Sequence, residues 1–90
     1  MSRPAITVFS RPGCHLCTVA LDRIGEILGE EGSREVHLVD IESSEELLAA
    51  YLERIPVIEV DGREVSDLEF DETAFLEAIG FAPGTPGQVA

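Results

Sequence analysis

The sequence predicts a single α/β domain in which a four-stranded mixed sheet lies between helices, in the order β-α-β-α-β-β-α. Three observations predict it. Between Ala5 and Leu52, short β-branched runs alternate with segments of helical period, the pattern of a parallel βαβ unit. Beyond them an Asp61-Gly62 pair separates two short apolar runs, a strong hairpin signal. The length, 90 residues, suffices for one compact domain and is too short for two.

Residues 5–9 (Ala-Ile-Thr-Val-Phe) read as a short buried strand, broken by Ser10-Arg11-Pro12-Gly13. From Cys14 the period changes. Cys14, Cys17, Leu21, Ile24 and Leu28, with Ala20 and Ile27 beside them, form one face of a helix that decays at Gly29 and Gly32. Residues 35–41 are β-branched and apolar on both faces, as a central strand would be. Ser43 and Glu46 have the spacing of a capping box and open a second helix through Leu47, Leu48, Tyr51 and Leu52. Arg54-Ile55-Pro56 ends it, because a residue before proline avoids the α region. Residues 57–60 and 63–65 are the arms of the hairpin. Asp71 is a good N-cap for a last helix through Phe75, Leu76 and Ile79, and Gly80 sits where a C′ glycine belongs. The expected domain covers residues 1–81, followed by a loose Pro/Gly tail over 82–90. The first βαβ unit should be parallel with a right-handed crossover.

Six arginines and no lysine oppose eighteen acids, for a formal net charge of −12. A surface that acidic repels phosphate backbones and anionic lipid, which argues against a nucleic-acid or membrane partner. No apolar run approaches the roughly 18 residues of a membrane span. Residues 1–4 show no basic n-region or cleavage pattern, so a cytoplasmic location is expected. The acid clusters Glu30-Glu31 and Glu45-Glu46 are most simply solvated faces, with Glu46 also available for capping.

The cysteines are Cys14 and Cys17. Two residues apart, they cannot staple the fold by closing a long loop, which excludes a disulfide scaffold. Cys-His-Leu-Cys falls where the first strand gives way to the first helix. There the free N–H groups and the positive end of the helix dipole favour an anion, so Cys14 should be the more acidic thiol. Cys17 joins the apolar stripe and should be the more buried one. Such a pair can serve as a dithiol couple, in which the exposed sulfur attacks a disulfide and the sheltered one resolves the mixed disulfide. The same spacing suits two core cysteines or half of a zinc site. A structural zinc site needs four ligands. His15, held on the same turn, and His37, on a strand, do not complete one, so no metal is expected. Helix direction points His15 toward solvent, and His37 reads as a sheet residue. Pro56 alone reads most simply as a helix stop opening a strand. Arg11, three residues before Cys14, would favour the thiolate there, and reads equally well as a solvated loop arginine.

Ser10-Arg11-Pro12-Gly13-Cys14-His15-Leu16-Cys17, the later Arg54-Ile55-Pro56-Val57 and the order of elements together resemble a glutaredoxin-like protein of the thioredoxin superfamily. The resemblance covers roughly residues 6–79. It implies a thioredoxin-like fold, Cys14 as nucleophile and Cys17 as resolving cysteine. It also implies Pro56 as a cis-proline, with Ile55 offering its backbone N–H and C=O to a bound thiol substrate. Arg11 matches a position where glutaredoxins carry a basic residue that contacts a glutathione carboxylate.

Three departures matter. Val65-Ser66-Asp67-Leu68 stands where glutaredoxins carry a glycine pair and an aspartate that seat glutathione, which argues against its use. No tightly bound cofactor is implied. His15-Leu16 replaces Pro-Tyr between the cysteines, so a redox potential does not carry over. Gly13 and Val8 replace thioredoxin's tryptophan and buried acid. The expected function is thiol-disulfide oxidoreduction through Cys14 and Cys17. The substrate would be a disulfide-containing protein or a small thiol, with an unidentified electron donor. The rival is a thioredoxin-fold adaptor module whose cysteine pair is idle or holds a metal with a partner's ligands.

Overall fold

The computed structural model describes residues 4–80. Positions 1–3 and 81, and the tail expected over 82–90, lie outside the described residues. The elements are β1 (Ile6–Ser10), α1 (His15–Ser33), β2 (His37–Asp40), a 3-10 turn (Ile41–Ser43), α2 (Glu45–Tyr51), β3 (Val57–Val60), β4 (Arg63–Asp67) and α3 (Glu72–Ala78). The sheet order is β2-β1-β3-β4. β1 runs parallel to β2 with Val8 opposite Leu38 and Ser10 opposite Asp40. β3 runs antiparallel to both β1 and β4. This is the mixed α/β sandwich that the sequence predicts.

Alternation along the strands sorts the residues onto the two faces. Ile6 and Val8 of β1 and Ile58 and Val60 of β3 form one core with Ala20 and Ile24 of α1 and Phe75 of α3. Complete burial of a side chain such as Phe75, Ile24 or Ile58 contributes about 1.5–3 kcal/mol each. The opposite face carries a second cluster, in which Phe9, Leu47, Leu48 and Tyr51 pack against Cys17, Ile41 and Ile55. The cysteine pair therefore belongs to the α2 side of the sheet.

The hairpin turns as expected. Val60 pairs with Arg63, and Asp61 and Gly62 both have positive φ, 53° and 82°, as a type I′ turn requires. Asp71 caps α3, its Oδ1 accepting from the Ala74 N–H at 3.0 Å. α1 runs on to Ser33, but only across a break at Gly29, whose φ is 78°.

Two expectations are corrected. Residues 37–40 form an edge strand with His37, Leu38 and Asp40 exposed. Apolar, β-branched composition marks a strand without saying how many neighbours it has. The second helix is capped by Ser44, not Ser43, with Ser44 Oγ accepting from the Leu47 N–H at 3.0 Å. Asp40 Oδ1 takes the Glu42 N–H at 2.8 Å and starts a 3-10 turn, which absorbs Ser43 and moves the helix start one residue on. Glu46 lies in the first turn of α2, where the dipole favours it without a capping bond.

Candidate active site

β1 delivers the chain to the carboxyl edge of the sheet, and the Ser10–Cys14 loop turns it into α1. Gly13, with φ 81°, makes that turn in the left-handed region that glycine enters freely. Cys14 follows in an extended conformation and is the N-cap of α1. Its Sγ accepts from the Cys17 N–H at 3.2 Å, and its carbonyl accepts the first helical bond from the Thr18 N–H at 3.1 Å. A sulfur placed there takes the part that a serine or aspartate oxygen plays at other helix starts. Cys14 and Cys17 are joined as a disulfide, with Cα atoms 5.2 Å apart. Cys14 is half-buried, whereas Cys17 is 3% exposed. Cys17 is the more buried of the two, as its place on the apolar stripe predicts. His15 is exposed, and so is His37 on the edge strand.

Ile55 is buried in the same cluster as both cysteines. The Ile55–Pro56 peptide is cis, and Pro56 is buried. The backbone of Ile55 is less free than expected. Its N–H donates to the Tyr51 carbonyl at 3.1 Å, as the Arg54 N–H does at 2.8 Å. The last carbonyls of a helix lack intrahelical donors, and Arg54 and Ile55, three and four residues beyond the end of α2, both supply that of Tyr51. The carbonyl of Arg54 receives the Leu68 N–H at 2.9 Å, which ties this loop to the end of β4.

Arg11 lines the groove beside Cys14, but it is not free. Its Nη2 lies 2.6 Å from Glu42 Oε2. The groove, about 350 Å³, runs between α1 and β2 and includes Cys17, Thr18, Leu38 and Asp40. Glu42 is the site residue that the reading by motif missed. The expected parallel pairing of the first two strands held the signal. Ser10 lies opposite Asp40, and the 3-10 turn beyond Asp40 carries Glu42 to the end of β1 where Arg11 emerges. Among the described residues no three His, Cys, Asp or Glu side chains gather to hold a metal, and no helix is long and apolar enough to cross a membrane.

A βαβ unit and hairpin with a Cys-x-x-Cys pair at the start of α1 and a proline loop against it define a thioredoxin-like domain of the glutaredoxin type. The chain belongs to the family described as glutaredoxin-like domain (DUF836), which matches residues 5–80. It is 36% identical over 76 residues to uncharacterized proteins of Mycobacterium bovis and Mycobacterium tuberculosis, covering 80% of this chain and 78% of theirs. Among solved structures it is similar to a protein from X. campestris, with 32% identity, a TM-score of 0.65, and coverage of 82% of this chain and 97% of that one. A Nitrosomonas europaea protein shares the fold, with a TM-score of 0.74 at 22% identity over 89% of this chain and 95% of that one.

Proposed function

We propose that the protein is a thiol-disulfide oxidoreductase that reduces disulfides through Cys14 and Cys17. One observation carries the reading: Cys14 caps α1 with an N–H aimed at its sulfur, while Cys17 is buried behind it. That N–H and the helix start favour a thiolate on Cys14. In the reduced protein the Cys14 thiolate attacks one sulfur of a substrate disulfide. The substrate S–S bond breaks, a mixed disulfide forms on Cys14, and the departing thiolate takes a proton from water. Cys17 gives its proton to solvent and displaces the second thiolate, closing the Cys14–Cys17 disulfide. Two electrons pass to the substrate, and a small thiol or a dithiol protein must restore the pair.

On this reading an extended substrate reaches Cys14 along the groove that Arg11 lines, with the Ile55–Pro56 loop packed behind the cysteine pair. A disulfide-bearing protein or a small-molecule disulfide in the cytoplasm is the substrate class. Glutathione is a poor candidate, because Ser66-Asp67-Leu68 offers no glycine pair and Arg11 already holds a carboxylate.

The test is mass detection of mixed disulfides. Cys17→Ser should accumulate a mixed disulfide with a model disulfide, and Cys14→Ser should not. If neither variant is captured, the oxidoreductase reading is lost in favour of the adaptor.

A further inference from the structure

We propose that Glu42 sets the charge preference of the site. By holding Arg11 it leaves the described lining of the groove beside Cys14 without a free cation, so neutral and cationic disulfides are attacked faster than anionic ones. The inference rests on the oxidoreductase reading and names the substrate class of that same site.

The register explains why the two residues meet. Ser10 and Asp40 are partners at the ends of parallel strands, and the 3-10 turn that Asp40 starts buries Ile41 and brings Glu42 round to Arg11. Their side chains are 38% and 41% exposed and 2.6 Å apart. Within the groove the charged lining residues are Arg11 and Asp40. With Arg11 neutralised by Glu42, Asp40 sets the local sign, and the whole chain carries −12. A substrate carboxylate that reached for Arg11 would have to displace Glu42 and then stand beside it unpaired. Like charges at such distances cost about 1 kcal/mol in water, a factor of roughly five in rate or affinity. A substrate ammonium meets the opposite sign from Asp40 and from Glu42.

The experiment uses the full chain, reduced with a small dithiol that is then removed. It is mixed with cystamine, bis(2-hydroxyethyl) disulfide and 3,3′-dithiodipropionate, which carry positive, zero and negative charge. The step followed is attack by the Cys14 thiolate, release of one half of the disulfide as a thiol, and displacement of the other half by Cys17. Each rate constant is divided by that of the same disulfide with mercaptoethanol, which removes differences between leaving groups. It is divided again by the value for the neutral disulfide, which cancels changes in the reactivity of Cys14 itself.

The expected order is cystamine fastest and dithiodipropionate slowest, with a ratio of about fivefold or more at about 10 mM salt. The ratio should shrink toward one at about 1 M salt, where the Debye length is about 3 Å. Glu42→Gln should lower the cationic-to-anionic ratio about fivefold, and Glu42→Lys should lower it further. A preference for the anionic disulfide in the parent, or a ratio that neither variant moves, overturns the role of Glu42. If the reduced protein attacks none of the three, the oxidoreductase reading falls and takes this inference with it.

Discussion

The backbone N–H of Cys17 donates to Sγ of Cys14 at 3.2 Å, so the second cysteine of the pair helps hold the first. The bond follows from the spacing. A helix N-cap side chain accepts from the N–H two or three residues on, and Cys-x-x-Cys puts the second cysteine at the third. The same three-residue step places the Cys17 side chain inward, where it is 3% exposed. One spacing thus yields a supported, half-buried sulfur and a buried one.

The first prediction concerns alkylation of the reduced protein at neutral pH. Cys14 should react with iodoacetamide about tenfold faster than Cys17 or more, from access and thiolate character together. Peptide mapping after partial labelling reads this directly. Equal labelling of the two sites would remove the assignment of Cys14 as nucleophile.

Gly13→Ala tests the turn that presents Cys14. Gly13 has φ 81°, and a Cβ added there would meet nothing within 4 Å. The cost is therefore one of backbone conformation rather than collision, about 1–2 kcal/mol. The unfolding free energy should fall by that amount, seen as a lower urea midpoint with the slope unchanged. A variant as stable as the parent would show that the loop reaches Cys14 by another path.

Local signals in the sequence were reliable where the chemistry was local. Asp61-Gly62 has both φ values positive, and Asp71 caps α3 as its position suggests. The capping box failed because Asp40, four residues before Ser44, starts a 3-10 turn of its own. Composition could not tell that His37–Asp40 lies at the sheet edge, since that depends on which strands pair. The candidate site divides the same way. The placement of Cys14 and Cys17 was legible from the strand-to-helix junction. The hold of Glu42 on Arg11 spans two elements and became visible only with the register. The Ile55 N–H was expected to face a substrate because the family resemblance implies it. The end of α2 required that donor instead.

Stability should depend on pH through the bridge between α1 and α3. Arg23 Nε and Nη2 meet Glu72 Oε1 and Oε2 at 2.6 and 2.8 Å, and Arg23 Nη1 reaches Glu26 at 2.7 Å. Hydrogen bonding to Arg23, aided by its charge, holds the Glu72 carboxyl below its usual value, and partial burial opposes this. A carboxyl whose folded pKa lies below the unfolded value stabilises the fold fully above the unfolded pKa. That stabilisation is lost as pH falls through the folded one. Glu72→Gln should therefore lower the melting temperature at pH 7, and the difference from the parent should shrink as pH falls below the ordinary glutamate range. The effect should be small because the pair is exposed. A parent-minus-variant difference that stays constant from pH 7 to pH 3 would exclude the linkage.

The last prediction concerns how the second face of the sheet supports the site. Phe9, on the same face as the α2 cluster, stacks on Tyr51 with ring centroids 4.5 Å apart and planes 19° from parallel. The Tyr51 carbonyl in turn receives the N–H groups of Arg54 and Ile55, and the Arg54 guanidinium lies 5.8 Å from the Tyr51 ring centroid. Arg54 also pairs with Glu64 and Asp67 of β4. The stack therefore fixes the end of α2 over β1, and the loop that seats Ile55 against Cys17 hangs from that end. Aromatic pairs of this geometry are coupled by about 0.5–1.5 kcal/mol beyond the area they bury. A double-mutant cycle with Phe9→Leu and Tyr51→Leu should return a coupling in that range, measured by urea unfolding. Tyr51→Phe keeps the ring and should stay within about 0.5 kcal/mol of the parent. Loosening the end of α2 should also expose Cys17, so Tyr51→Leu should narrow the alkylation contrast between the two cysteines in the folded protein. A coupling near zero, with the alkylation contrast unchanged, would mean that Ile55 is held by its own burial and by the Leu68–Arg54 bond, without help from the stack.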